Sequence, residues 1–561
     1  MAPACPVGAI PLNAPLRSSG HVSQKSQRQP CGRTDLKAIG ADPRSPFILT
    51  VKIVQNTLAN LAASLLAPLL AIVLTPFYIQ HLGIEGYGLV GFFTALHILL
   101  GIVSAAMGKV YLREVSARTV LPERRESVPL LFKWFLVFFL VWGAVVAIGI
   151  ALLSWWISHR WVHLDHLDPA TVQACILLIA VTLAATVPTS VCVNTLFGLQ
   201  EHVRANALSI VLYLLTTAVA VVLVYFQHSV LAYYAATAGG AVLAFFFIAR
   251  LAARQLRSHL GNAVVWPTLR QTLRERHDPL QVIRDSLLLL WTEGVGVIVT
   301  QSDRLLLTAL LPLSSLGIYN VGGSIGRLVQ VACSPYLTAA FPRLCQLATT
   351  DSAAAARHAF RQQAIVLVLV ASFAMPVCII PHSLLVLWLG NTEVAARATD
   401  VAALFAIAYG CLALSGAPYN LTVAAGRTRP IAIYNATAIV WYPLLGYWLI
   451  SHFGLTGAAV LWLTYCATSL IVCTLVAWRN VDRAYFSLRE SARTLAILPC
   501  AGIVAVMVKA APLLGNVARA AIGSALILVA GFCLVLGRAE IARLLGRSFK
   551  GLTPPALPPS T

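Results

Sequence analysis

The chain has 561 residues, 59% of them hydrophobic and 11% charged, and its mean hydropathy is +0.81. A composition this apolar excludes an ordinary soluble protein, and the formal charge of +20 does not point to nucleic acid, because the basic residues stand between hydrophobic runs instead of gathering on one face or arm. The 12 cysteines include no Cys-x-x-Cys pair, and Cys175, Cys192, Cys333, Cys378, Cys411, Cys466, Cys473 and Cys533 fall inside apolar stretches as small hydrophobes, so neither a metal nor another cofactor is assigned.

In chain order, residues 1–48 are rich in Pro, Ser, Gly and Arg, lack an apolar core, and read as a disordered cytosolic tail. Runs matching a bilayer span of about 20 residues then follow at 51–78, 86–108, 130–157, 172–197, 206–226, 230–250, 286–311, 316–341, 364–389, 401–424, 431–452, 455–478, 494–513 and 517–537. The expected fold is an all-α polytopic membrane protein of about 14 transmembrane helices. Every second connector is basic: Lys109 to Arg125, Arg204, Arg250 to Arg276, Arg343 to Arg361, Arg427 with Arg429, and Arg479 to Arg493. The odd connectors hold only Arg160, Arg397, Lys509 and Arg519, which places the even connectors and both termini in the cytoplasm of a multi-pass membrane protein. One missed helix would invert this alternation downstream of it.

A shift of about 225 residues superimposes Tyr111 and Leu112 on Tyr336 and Leu337, Arg118 on Arg343, Arg204 on Arg429 and Arg254 on Arg479. The shift equals six spans, so the two copies are parallel repeats. The expected organisation is a first six-helix lobe at 49–255, a cytoplasmic linker at 256–284, a second lobe at 285–480, two further spans within 481–545 and a cytosolic tail at 546–561.

Charges inside spans are costly and mark cavities or partners. Span seven carries Glu293, Asp303 and Arg304, and Glu293, Thr300 and Arg304 share one helix face. Span eight carries Asn320, Ser324, Arg327, Gln330 and Ser334 as a polar stripe, with Arg327 about 15 Å into the bilayer. Arg327 reads as a cationic site for an anionic headgroup or as the structural partner of Glu293, and the two are compatible if the pair opens when substrate arrives. Glu293 is also an ion-coupling candidate. Asp303 and Arg304, toward the outer end of their span, are expected on a solvated rim or in an ion pair. Asn56, Asn60 and Ser64 form a stripe on span one, with Asn60 facing the cavity or bonding another helix. His159, His163 and His166, in the longest outer loop with Asp165 and Asp168, are read as solvated loop residues rather than metal ligands.

The segments TPFYIQHLGIEGYGLVGFFTAL (75–96), YLREVSAR (111–118), QSDRLLLTALLPLSSLGIYNVGGSIGRLV (301–329) and SHFGLTGAAVLWLTYC (451–466) resemble, in order and spacing, the bacterial polysaccharide flippases. These O-antigen and exopolysaccharide translocases belong to the multidrug/oligosaccharidyl-lipid/polysaccharide exporter superfamily. The resemblance implies two six-helix lobes in a V shape and a non-enzymatic flippase that moves polyprenyl-pyrophosphate-linked oligosaccharide for surface polysaccharide or lipopolysaccharide biosynthesis by alternating access. It also implies contact with membrane lipid, coupling to H+ or Na+, and polysaccharide polymerase and chain-length proteins as partners. Arg327, Arg304, Asn320, Gln330 and Asn60 are then the expected headgroup and cavity residues, with Glu293 and Asp303 as ion-coupling candidates. The rival readings are a multidrug or small-molecule antiporter, a lipid II flippase and, less favoured for want of a large extramembrane loop, a membrane glycosyltransferase or polymerase.

Overall fold

A computed structural model describes residues 45–120, 122–260, 277–485 and 521–531, together with positions 515 and 518. The expected N-terminal tail before residue 45, most of the linker, the thirteenth span and the C-terminal tail lie outside the described residues, as do the side chains of Asn56, Ser64 and Glu293. Among the described residues the chain is helical, and eight helices are long and apolar enough to cross a membrane.

The first helix, α1 (Ser45–Leu100), has 56 residues and would be about 84 Å long if straight, far more than the roughly 30 Å of a hydrocarbon core. Gly83 breaks it with φ 74° and ψ 170°, a conformation that a Cβ would disfavour, so one continuous assignment is two passes. The first lobe continues through α2 (Ile102–Val120), α3 (Val128–Trp156), α4 (Pro169–Gly198), α5 (His202–Gln227) and α6 (Val230–Leu260). The second lobe comprises α7 (His277–Leu310), α8 (Leu313–Thr350), α9 (Ser352–Ile379), α10 (Pro381–Leu389), α11 (Thr392–Ala424) and α12 (Arg429–Val476), and the described tail adds the helix α13 over residues 521–531. Gly454, at φ 57°, divides α12 as Gly83 divides α1.

The expected ninth span, 364–389, is displaced: α9 begins at Ser352 and stops at Ile379, and Pro381 opens a separate nine-residue helix. Proline pushes the residue before it out of the helical region, and Ile380 sits at φ −128° and ψ 45°. The apolar run was continuous in sequence because α10 is also apolar.

The repeat is written into the turns. Gln200 (φ 62°) and Gly426 (φ 67°) close equivalent helices 226 positions apart, and His228 (φ 48°) and Gly454 (φ 57°) repeat the offset. The backbone bonds correspond as well: Glu201 N–H donates to the Leu196 carbonyl and Arg427 N–H to the Thr422 carbonyl, both at 2.9 Å. The lobes meet near Gly83, where Tyr78, Leu89, Phe92 and Phe93 of α1 share one apolar cluster with Leu307, Leu313, Leu316 and Tyr319. At its other end α7 leans on the first lobe, with Val282 in the cluster of Val110, Tyr111 and Phe135.

Candidate functional site

Helix α8 lies against α11 at very short range because Gly322 and Gly326 present no side chain. A Cβ at Gly322 would meet Val401, and one at Gly326 would meet Phe405. Advancing by four residues on both helices pairs Tyr409 with Gln330, and the long side chain of the residue after Gly326 reaches up to the same Tyr409 ring. That residue is Arg327. Its guanidinium carbon lies 6.0 Å from the centre of the Tyr409 ring, a cation–π separation, and the group also interacts with the Tyr409 hydroxyl.

Arg304 enters from α7. Its Nη1 donates to Gln301 Oε1 at 2.7 Å, while its Nε is buried without a partner. Tyr87 comes in from α1: its hydroxyl lies 3.1 Å from Thr75 Oγ1 of the same helix and is within electrostatic range of both Arg304 and Arg327. Three helices from two lobes therefore bring one phenol and two guanidiniums within electrostatic range of one another. Among the described residues no carboxylate comes within 4 Å of either arginine. Guanidiniums in a low-dielectric interior attract an anion, and paired N–H groups suit phosphate oxygens.

The remaining expected residues divide. Asp303 is 3% exposed, not on a solvated rim; Tyr319 donates to its Oδ2 at 2.5 Å, and its Oδ1 has no partner. The expectation failed because α8 folds back across the turn at Pro312 and lays Tyr319 over the outer end of α7. Asn320, with a buried and unpartnered Nδ2, packs against Gly91 of α1, while Gln330 is half-buried on α8 close to Arg327. Asn60 accepts a hydrogen bond from Asn206 Nδ2 at 2.6 Å and lies 3.4 Å from His202 Nδ1. It ties α1 to α5 and does not join the arginine group. Glu293 falls on α7, but its side chain is outside the described residues.

Tyr87, Tyr409 and Gln301 carried no signal of their own in the sequence, since aromatic residues in an apolar run read as core. Glu85, one carboxylate in a short connector, was not singled out in the sequence. It is 6% exposed, and its carboxylate accepts the backbone N–H groups of Asp165 and His166 at 2.8 Å and of Leu167 at 3.1 Å. The loop so held reaches the second lobe, where Leu313 N–H donates to the His163 carbonyl at 2.9 Å. The backbones also touch: a methyl group added at Gly88 would overlap the Leu313 carbonyl, and one at Gly317 would overlap that of Ile84. Trp388 of α10 adds a bond from its indole N–H to the Ile72 carbonyl at 3.1 Å. At the Gly83 end the lobes are shut, and Tyr87 lies one residue from that junction.

The fold is similar to that of the lipid II flippase MurJ in an inward closed conformation, with a TM-score of 0.65 at 11% identity over 87% of this chain and 100% of the other. Multidrug resistance MATE family transporters also match, an inward-facing form at TM-score 0.57 and 14% identity over 74% of this chain and 95% of that one. An outward-facing form gives 0.52 and 14% over 79% and 97%. No curated protein matches the sequence. Residues 53–348, more than half of the 561, match the polysaccharide biosynthesis protein family, and they contain α2 to α7 and most of α1 and α8, including Tyr87, Arg304 and Arg327: the chain belongs to that family.

Proposed function

We propose that this protein is a non-enzymatic flippase that carries polyprenyl-pyrophosphate-linked oligosaccharide across the bacterial inner membrane for surface polysaccharide biosynthesis. The observation that carries the reading is the pair Arg304 and Arg327, two guanidiniums on consecutive helices of the second lobe without a carboxylate within 4 Å among the described residues, and within electrostatic range of Tyr87 of the first lobe. The alternating charge of the connectors puts the Gly83 end outside and the termini in the cytoplasm. The described conformation is then shut toward the outside. The headgroup enters from the cytoplasmic side, pairs with Arg327 and Arg304, and leaves when the Gly83 junction opens, while the prenyl tail stays in lipid.

Asp303 supports ion coupling through its partnerless Oδ1, held in a buried site beside Tyr319. The binding of H+ or Na+ there, or at Glu293, would link lobe movement to an ion gradient. Replacement by Asn at 303 or Gln at 293 should uncouple transport from the gradient, and full gradient-dependent transport in both variants would remove this part of the reading.

The test is a strain lacking the gene. A polyprenyl-linked glycan should accumulate on the cytoplasmic leaflet, wild-type protein should clear it, and Arg327→Ala, although inserted normally, should lower export at least about a hundredfold, the loss of roughly 3 kcal/mol of charge-assisted bonding. Normal surface glycan with Arg327→Ala would overturn the assignment. The likeness to MurJ favours a second reading, lipid II transport; restoration of growth in cells depleted of their own lipid II flippase would select it.

A further inference from the structure

We infer that Trp388 is a positioning residue that holds the Gly83 end of the two lobes closed, by capping a backbone carbonyl that a proline leaves open in α1. Pro76 stands inside α1 and has no N–H to give to the carbonyl four residues before it, that of Ile72. In a membrane such a group needs another donor, and a neighbouring hydroxyl often supplies it. The adjacent hydroxyl is spent elsewhere, because Thr75 donates to the Ala71 carbonyl at 2.7 Å. The donor to the Ile72 carbonyl is the indole N–H of Trp388, at 3.1 Å and from the other lobe.

A second proline places that donor. Pro381 opens α10 just after α9 ends at Ile379, and α10, with nine residues, is too short to cross the membrane. It is fixed to its own lobe. Leu385 is fully buried in a cluster with Val394 and Ala398 of α11, and Gly390 (φ 66°) leads from α10 into Asn391, whose side chain accepts the Val394 N–H at 3.0 Å. Ile79, two turns beyond Ile72 on the same face of α1, packs into that cluster as well. When the lobes part at this end, α10 moves with α11, while α1, tied to α5 through Asn60 and Asn206, stays with the first lobe. The indole bond then breaks, and the Ile72 carbonyl has no donor until water enters. The closed state is thus the one in which the backbone of α1 is satisfied, and opening carries the cost of an unpaired group. None of this depends on what the protein carries.

Closure can be measured with spin labels at the exposed positions 80 and 393, in full-length protein in lipid nanodiscs whose exposed Cys378 is replaced by alanine. The labels report the separation of α1 from α11 at this end as short- and long-distance populations. Trp388→Phe keeps an aromatic ring without the donor and should raise the ratio of long to short distances about tenfold, the effect of one hydrogen bond. Trp388→benzothienylalanine, which keeps the shape of the indole and puts sulfur in place of its N–H, should do the same. Pro76→Ala gives residue 76 an N–H for the Ile72 carbonyl, so in that background Trp388→Phe should change the ratio by no more than about twofold. An unchanged ratio with either replacement of Trp388 in the parent would overturn the inference. So would a rise that persists in full with Pro76→Ala, because the effect would then belong to the packing of the ring. Should the Pro76→Ala protein fail to insert, the benzothienylalanine variant decides alone, since only the hydrogen bond separates it from tryptophan.

Discussion

Arg327 owes its place to the glycine before it. Without a side chain at Gly326, α8 settles onto Phe405, and the next residue is carried to Tyr409. The arginine itself was legible in the sequence, because a charge in an apolar run stands out. Its tyrosine neighbours were not, since what distinguishes Tyr87 and Tyr409 from other buried aromatics is where the lobes place them. Asp303 was legible as a charge but not as a buried one, because its cover comes from Tyr319 across a turn. A different acidic residue is open to a pH test. Asp482, beyond the last residue of α12, accepts the Ala484 N–H at 2.8 Å and the Ser352 hydroxyl at 2.7 Å, and these bonds hold its carboxyl below the usual carboxylate range. A native pKa depressed in this way contributes stability that is fully present above the unfolded value of about 3.9 and is lost as pH falls through the native value. Wild type should therefore melt above Asp482→Asn at neutral pH, and the two should converge as the pH drops below about 3.9. Parallel curves down to the acid limit would show that the carboxylate adds nothing.

Helices were easier to find than their ends. The break at Gly83 was legible because 56 apolar-rich residues exceed any single crossing, and the same reasoning splits α12 at Gly454. The end of α9 was hidden, since hydropathy does not register that Pro381 forces a stop at Ile380. The outer loop was hidden more deeply: its histidines attracted notice, yet its anchor is Glu85, a lone carboxylate on another element. Three backbone N–H groups on one buried carboxylate are charge-assisted bonds whose joint removal costs on the order of 3 kcal/mol. Glu85→Ala should therefore speed amide exchange at residues 165–167 about a hundredfold, while Glu85→Gln, which keeps one acceptor oxygen, should fall between it and wild type. Because the same loop carries the His163 carbonyl to Leu313, the Glu85→Ala protein should also lose protection at Leu313. Unchanged exchange there would separate the loop from the gate.

At the scale of the whole molecule, the duplication seen as scattered matching residues is a duplication of turns, with Gln200 and His228 answered by Gly426 and Gly454. It explains why two residues other than glycine tolerate positive φ: the repeat requires the turn, and each copy has met the requirement with a different side chain. What the repeat does not dictate is how the lobes stand to one another. That is set at the Gly83 end by glycines facing backbone, Gly88 against Leu313 and Gly317 against Ile84. A carbonyl of the opposing helix cannot rotate aside as a side chain can, so a methyl group at either position separates the helices themselves. Gly317→Ala should therefore hold the lobes apart at this end while leaving each lobe folded and Arg327 in place. Spin labels at the exposed positions 80 and 393, in protein whose exposed Cys378 is replaced by alanine, should report a longer distance in Gly317→Ala than in its parent, with no further lengthening on addition of farnesyl pyrophosphate. Export should fall although the pyrophosphate probe still binds, because a transporter that cannot close toward the outside cannot reload from the cytoplasm. An unchanged distance with normal export would mean that the glycine crossing is not what sets the closed state.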